Sequence, residues 1–129
     1  MKVLKFGLVA LMFFTLGLLS SLYVFDRKSS NYAAEIYSSI VNRDVAILNN
    51  YRKGDGVVLE EEMALSIFEL VNLIGLNIKN TNYVSPGVES SLQLAFDSVA
   101  LLRNPGGVSK DKGKDVSGIS FILDEGFVE

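Results

Sequence analysis

The hydrophobic positions divide the chain into one unbroken apolar run and a series of helix-periodic stretches. The run Phe6–Phe25, FGLVALMFFTLGLLSSLYVF, holds no charged residue. Lys2 and Lys5 precede it; Asp26, Arg27 and Lys28 follow. Twenty residues at helical rise span about 30 Å, the thickness of a bilayer's hydrocarbon core. The run therefore predicts a transmembrane helix within a 1–25 anchor or signal segment. A cleavable signal would need a shorter apolar run and a small residue three positions before the cut. Cuts after Ser20 or Ser21 put Leu18 or Leu19 there, and a cut after Gly17 leaves LLSSLYVF as a new terminus. An uncleaved signal anchor is the favoured reading. Gly17 and Ser21 form a small-xxx-small pair, the spacing that lets two membrane helices approach, although both also read as ordinary small residues of a span.

After the run, DRKSSN (26–31) either caps a new helix at Ser30 or Asn31 or carries the first helix into solvent. Over Tyr32–Tyr51, the residues Ala33, Ile36, Tyr37, Ile40, Val41, Val45, Leu48 and Tyr51 recur at three- and four-residue spacings, an amphipathic helix stopped at Gly54. A second helix is expected from Val57 to Lys79, with Glu60, Glu61 and Glu62 in its first turn, where the dipole favours anions. Its apolar residues, Met63, Ala64, Ile67, Phe68, Val71 and Ile74 among them, cover more than one face, so the helix must be packed on more than one side. Glu69 and Asn72 interrupt the run and argue against a second membrane span.

Ser85-Pro86 announces a third helix with a serine N-cap and proline at N1. Val88, Leu92, Ala95, Phe96, Val99 and Leu102 form its core stripe, and Asn104-Pro105-Gly106-Gly107 ends it. Ser109–Gly118 has the composition of a mobile linker. The apolar run at Ile119–Leu123 is expected as a short helix, as an extended arm in a groove, or as a strand awaiting a partner. The fold class is all-α: a transmembrane signal-anchor helix (1–25), a bundle of about three helices (26–107) and a flexible C-terminal segment (108–129). A very apolar middle helix leaves room for a second copy to complete the core.

Composition narrows the chemistry. The chain has 129 residues with no His, Cys or Trp. His-based triads, His–metal sites, disulfides and thiol nucleophiles are therefore impossible. Beyond Phe25 the chain carries ten basic and fifteen acidic residues, a net charge of −5, which disfavours nucleic acid as a partner.

Two short resemblances remain. Tyr51–Glu62, YRKGDGVVLEEE, resembles a degraded EF-hand loop, with Asp55 at its fifth position, Gly56 at the sixth, Val58 at the eighth and Glu62 at the twelfth. The resemblance would make Asp55 and Glu62 the metal candidates. Tyr51 and Lys53 stand where oxygen ligands belong, and no second loop is present, so the stretch reads first as a Gly-Asp-Gly turn. Glu89-Ser90 resembles the Glu-Ser pair of lytic transglycosylases, in which the Glu is a general acid. The match is two residues long and the family's downstream glycine-rich motif is absent, so Glu89 reads first as an acidic residue complementing a helix N-terminus. Tyr32, Tyr37, Tyr51 and Tyr83 offer an aromatic contact surface, although the first three border the apolar stripe and are expected at the core or its edge. Pro105-Gly106-Gly107 follows a helix and is no phosphate loop.

The expectation is a membrane-anchored, non-enzymatic helical interaction or accessory protein of the bacterial envelope, without a cofactor. It would sit in the inner membrane through residues 6–25, with 26–129 in the periplasm or outside the cell and a protein partner or second copy bound. The alternatives are a sensor of a small ligand or cation, and a helical domain secreted after signal cleavage.

Overall fold

A computed structural model describes residues 2–53 and 57–128. Among them the chain is all helical: α1 (Lys2–Tyr51), α2 (Val57–Thr81), α3 (Pro86–Ser98), a 3-10 turn (Ala100–Arg103), α4 (Pro105–Lys112) and α5 (Ser117–Asp124). The apolar run and the first amphipathic stretch are one helix. Of the two readings open for residues 26–31, continuation into solvent is the one observed: nothing there breaks the helix, since the segment lacks Pro and Gly. Fifty helical residues reach about 75 Å at 1.5 Å per residue.

The core begins at Ala34. From there α1 buries Ala34, Val41, Val45 and Leu48 against α2 and α3. Ile36, Tyr32 and Tyr51, placed on or near this stripe by periodicity, instead stand exposed. Ile36 and Ala34 are both apolar, so spacing leaves the centre of a broad stripe undetermined to within a residue or two; contact with two helices selects the Ala34 side. Tyr37 packs at the core edge. Two buried polar residues lie on the same face. Ser38 Oγ donates to Glu35 O at 2.8 Å, and Asp44 accepts from Arg43 Nε at 3.0 Å.

α2 is covered from two directions, by α1 and by α5. Ile67, Phe68, Val71, Ile74 and Ile78 are essentially inaccessible, as the wide apolar set requires. Asn82, at φ +50, turns the chain after α2. Thr81 Oγ1 donates to carbonyls at the same end. α3 starts as expected: Ser85 is extended (φ −75, ψ 149), its Oγ accepts from Val88 N, and Pro86 occupies the first turn. All six residues of its expected stripe are buried. The α-helix stops at Ser98, earlier than the Asn-Pro-Gly-Gly signal, because Val99 turns extended and the chain tightens into the 3-10 turn that buries Leu102.

The C-terminal segment departs from expectation. Residues 105–112 form α4, opened by Pro105 at N1. Instead of the flexible tail assigned to 108–129, α5 docks on α2 with Gly118, Ile119 and Ile122 buried. Of the three forms open for Ile119–Leu123, the short helix is the one adopted. A Cβ on Gly75 of α2 would come within 3 Å of Gly118's backbone, and a Cβ on Gly118 would strike the Asn72 carbonyl. Composition made the tail look mobile. This glycine-to-glycine approach, which a linear reading does not reveal, lets the two backbones close.

Candidate functional site

The most unusual surface is the N-terminal half of α1. Thirteen large apolar side chains between Leu8 and Phe25 stand 48–73% exposed. Monomeric soluble proteins rarely expose contiguous apolar patches beyond a few hundred Å². The helix is long and apolar enough to cross a membrane. Thr15, in the middle of the run, is internally satisfied: its Oγ1 donates back to Met12 O at 2.9 Å, as a hydrocarbon medium favours. Phe25 is 73% exposed, and Phe6 lies in the same helix. Gly17 has open space around its Cβ position and Ser21 is exposed, so both leave the helix surface accessible to another helix.

A polar collar follows. Asp26–Ser29 are exposed, and the first buried core side chain, Ala34, lies nine residues past Phe25, about 14 Å along the axis. That distance is about twice the depth of one headgroup layer, which is roughly 5–7.5 Å beyond the hydrocarbon core. Tyr23 and Tyr32 flank the collar, both 67% exposed.

The far end of the bundle holds the acidic turn. Arg52 organises it: Nε donates to Glu60 Oε1 at 2.7 Å and Nη1 to Ser98 O at 2.6 Å. One guanidinium thus joins the end of α1, the start of α2 and the last turn of α3, satisfying a carbonyl that α3 leaves without an intrahelical donor. Glu60 is occupied by this pair, whereas Glu61 and Glu62 are exposed. Asp55, Gly54 and Gly56 lie outside the described residues. Among the described residues no group of three or more acidic side chains converges in a way that would hold a metal ion. Beside this end an open cleft of about 510 Å³ is lined by Glu61, Leu65, Leu101, Asn104 and Val108.

Glu89 and Ser90 border a second open cleft, together with Asp97 and Phe127. Glu89 is exposed in the first turn of α3, and Ser90 Oγ donates to Pro86 O at 2.9 Å. Asp97 accepts from Arg103 Nη2 and Gln93 Nε2, both at 3.2 Å. Among the described residues the Glu89 carboxylate takes part in no side-chain hydrogen bond or ion pair, whereas Asp97 across the same cleft is engaged by Arg103 and Gln93. Tyr32, Tyr51 and Tyr83 are exposed and Tyr37 packs at the core edge; Tyr83 borders a small pocket with Asn31, Ala34 and Glu35, and among the described residues no two tyrosine rings pair.

Two residues with architectural roles escaped the linear reading. Asn72 appeared only as a polar interruption. Its Oδ1 accepts from Gly118 N at 2.9 Å and Ile119 N at 3.2 Å, and its Nδ2 donates to Asp115 O at 3.1 Å. The available signal was an amide in the middle of an apolar run, which is costly unless bonded. Arg52 offered no signal beyond its charge. No protein-family model, curated protein or solved structure matches the chain.

Proposed function

We propose that this chain is a single-pass, membrane-anchored, non-enzymatic interaction protein of the bacterial envelope, with its N-terminus inside and the helical bundle held outside the cytoplasm. The observation that carries the reading is that the exposed apolar segment and the first core-forming segment belong to one uninterrupted helix. In a bilayer, burying the apolar segment would relieve the exposure of its large side chains, each worth about 1.5–3 kcal/mol when fully buried. The first residues of the polar collar would sit among headgroups, with Tyr23 at the interface and Tyr32 just beyond it. The bundle would then stand just clear of the surface as an adaptor, accessory or immunity-type module. Its lack of His and Cys, and the exposed, unconverged setting of Glu89, favour binding over catalysis.

The test is intact mass and compartment in a bacterial host, followed by crosslinking in the membrane. The expected result is full-length protein in the membrane fraction and a discrete crosslinked partner. A shortened, soluble protein would replace the anchor with a cleaved signal. A full-length protein that crosslinks to nothing, including itself, would overturn the interaction role.

A further inference from the structure

We propose that α5 is a clasp that folds as it docks: closed, it is a helix capped by Asn72; open, residues 117–124 unwind and bare the strip of α2 around Asn72 and Gly75. The inference stands on four observations and is independent of the anchor and of the interaction role. First, the capping of α5 is supplied largely by another element. Val116, at its N-cap position, makes no side-chain cap bond. The Ser117 N–H is taken by Asp115 Oδ1 at 2.9 Å, but the next two, on Gly118 and Ile119, are both taken by Asn72 Oδ1. The first bond made to a carbonyl of α5's own segment is Ser120 N to Val116 O, at 3.0 Å. Second, α5 has eight residues, below the length at which a helix holds itself in water, so leaving α2 removes its cap and its helicity together.

Third, among the helices α5 packs chiefly on α2, where Ile119 and Ile122 complete one side of the core, whereas the α1–α2 and α1–α3 interfaces are formed by other elements; beyond α5, Phe127 borders the α3 cleft. Opening therefore leaves the rest of the bundle in place. Fourth, the approach to α5 is a hinge: residues 113–116 are not helical and Gly113 sits at φ +60. Two links to α2 close the near end, the ion pair of Lys114 Nζ with Glu69 Oε1 and the hydrogen bond from Asn72 Nδ2 to Asp115 O. The closed state is held by Ile119 and Ile122, both fully buried, and by the Gly75–Gly118 backbone approach. Opening uncovers an apolar strip with a free amide in its middle, a surface matched to a helix N-terminus with a small residue in its first turn.

Hydrogen exchange on the full chain in detergent micelles, read by mass spectrometry, tests the clasp. In the wild type, amides of 117–124 should exchange at least about tenfold faster than those of 67–78 and 91–96, as expected of a locally opening unit. Asn72→Ala should speed 117–124 by about a further tenfold, one hydrogen-bonding group's worth, with 91–96 unchanged. Gly118→Ala, whose new methyl meets the Asn72 carbonyl, should give the same local pattern, and it serves if Asn72→Ala fails to fold. Protection of 117–124 equal to that of 67–78 and 91–96, or loss of protection in both variants that spreads equally through all three segments, would overturn the proposal.

Discussion

Asn72 and Leu92 illustrate how burial decides the weight of a residue here. Asn72 is a polar group in the strongly apolar α2, yet its amide makes three hydrogen bonds to the α5 segment. Leu92 is fully buried in α3, one turn from Glu89, which is exposed. Leu92→Ala should therefore cost about 2–5 kcal/mol, a large share of the 5–15 kcal/mol expected of a domain. Glu89→Gln should stay within about 0.5 kcal/mol, because an exposed first-turn carboxylate gives up only part of a screened dipole interaction. Chemical denaturation of the two variants checks both values. A Glu89→Gln loss as large as that of Leu92→Ala would mean that the carboxylate has a partner beyond the helix dipole.

At the scale of elements, the defining feature is that α1 belongs to two environments. Its first half is exposed apolar surface, its second half carries core side chains, and the neck between them is exposed over 26–29 and half-buried at Ser30, Asn31 and Ala33. Ser30→Pro should break the helix in this neck, since proline removes a backbone donor and clashes with the preceding turn at about 3 kcal/mol or more. The break falls before Ala34, so the melting temperature of the bundle should change by no more than a few degrees. Spin labels at Leu19 and Asn49, about 45 Å apart along a continuous helix, should show a broadened and shortened distance distribution in the variant. An unchanged narrow distribution would show that the neck is held by more than its own helical bonds.

For the whole molecule, the contrast is between a well-satisfied bundle and an exposed rod. Among the described residues no buried side-chain nitrogen or oxygen lacks a partner. Among the described residues the rod has no comparable partner. If a bilayer supplies that partner, a charge at mid-depth is penalised. Leu16→Arg should weaken insertion by about 2.5–3.5 kcal/mol and move a measurable fraction of the protein into the alkali-extractable pool. The bundle's melting temperature should stay the same, because Leu16 is far from the core. A variant that remains fully membrane-bound would transfer the anchoring role to another surface.

Linear pattern alone determined the helical class, the apolar rod, the Ser85-Pro86 start of α3 and its whole buried stripe. Each rests on local physics: periodicity, a capping hydroxyl, a fixed proline φ and a length matched to a bilayer. It also anticipated that α2 must be covered on two sides, without saying by what. Tertiary structure decided the rest. It merged the first two helical segments, rotated the α1 stripe towards Ala34 and away from Tyr32 and Ile36, and joined three helix ends through Arg52. It also turned an apparently loose tail into α5. That last outcome depends on Gly75 and Gly118 meeting across 43 positions of sequence, with Asn72 supplying a cap from outside the helix it serves. Such long-range pairings leave no periodic trace, because each partner, read in its own window, looks only like an interruption.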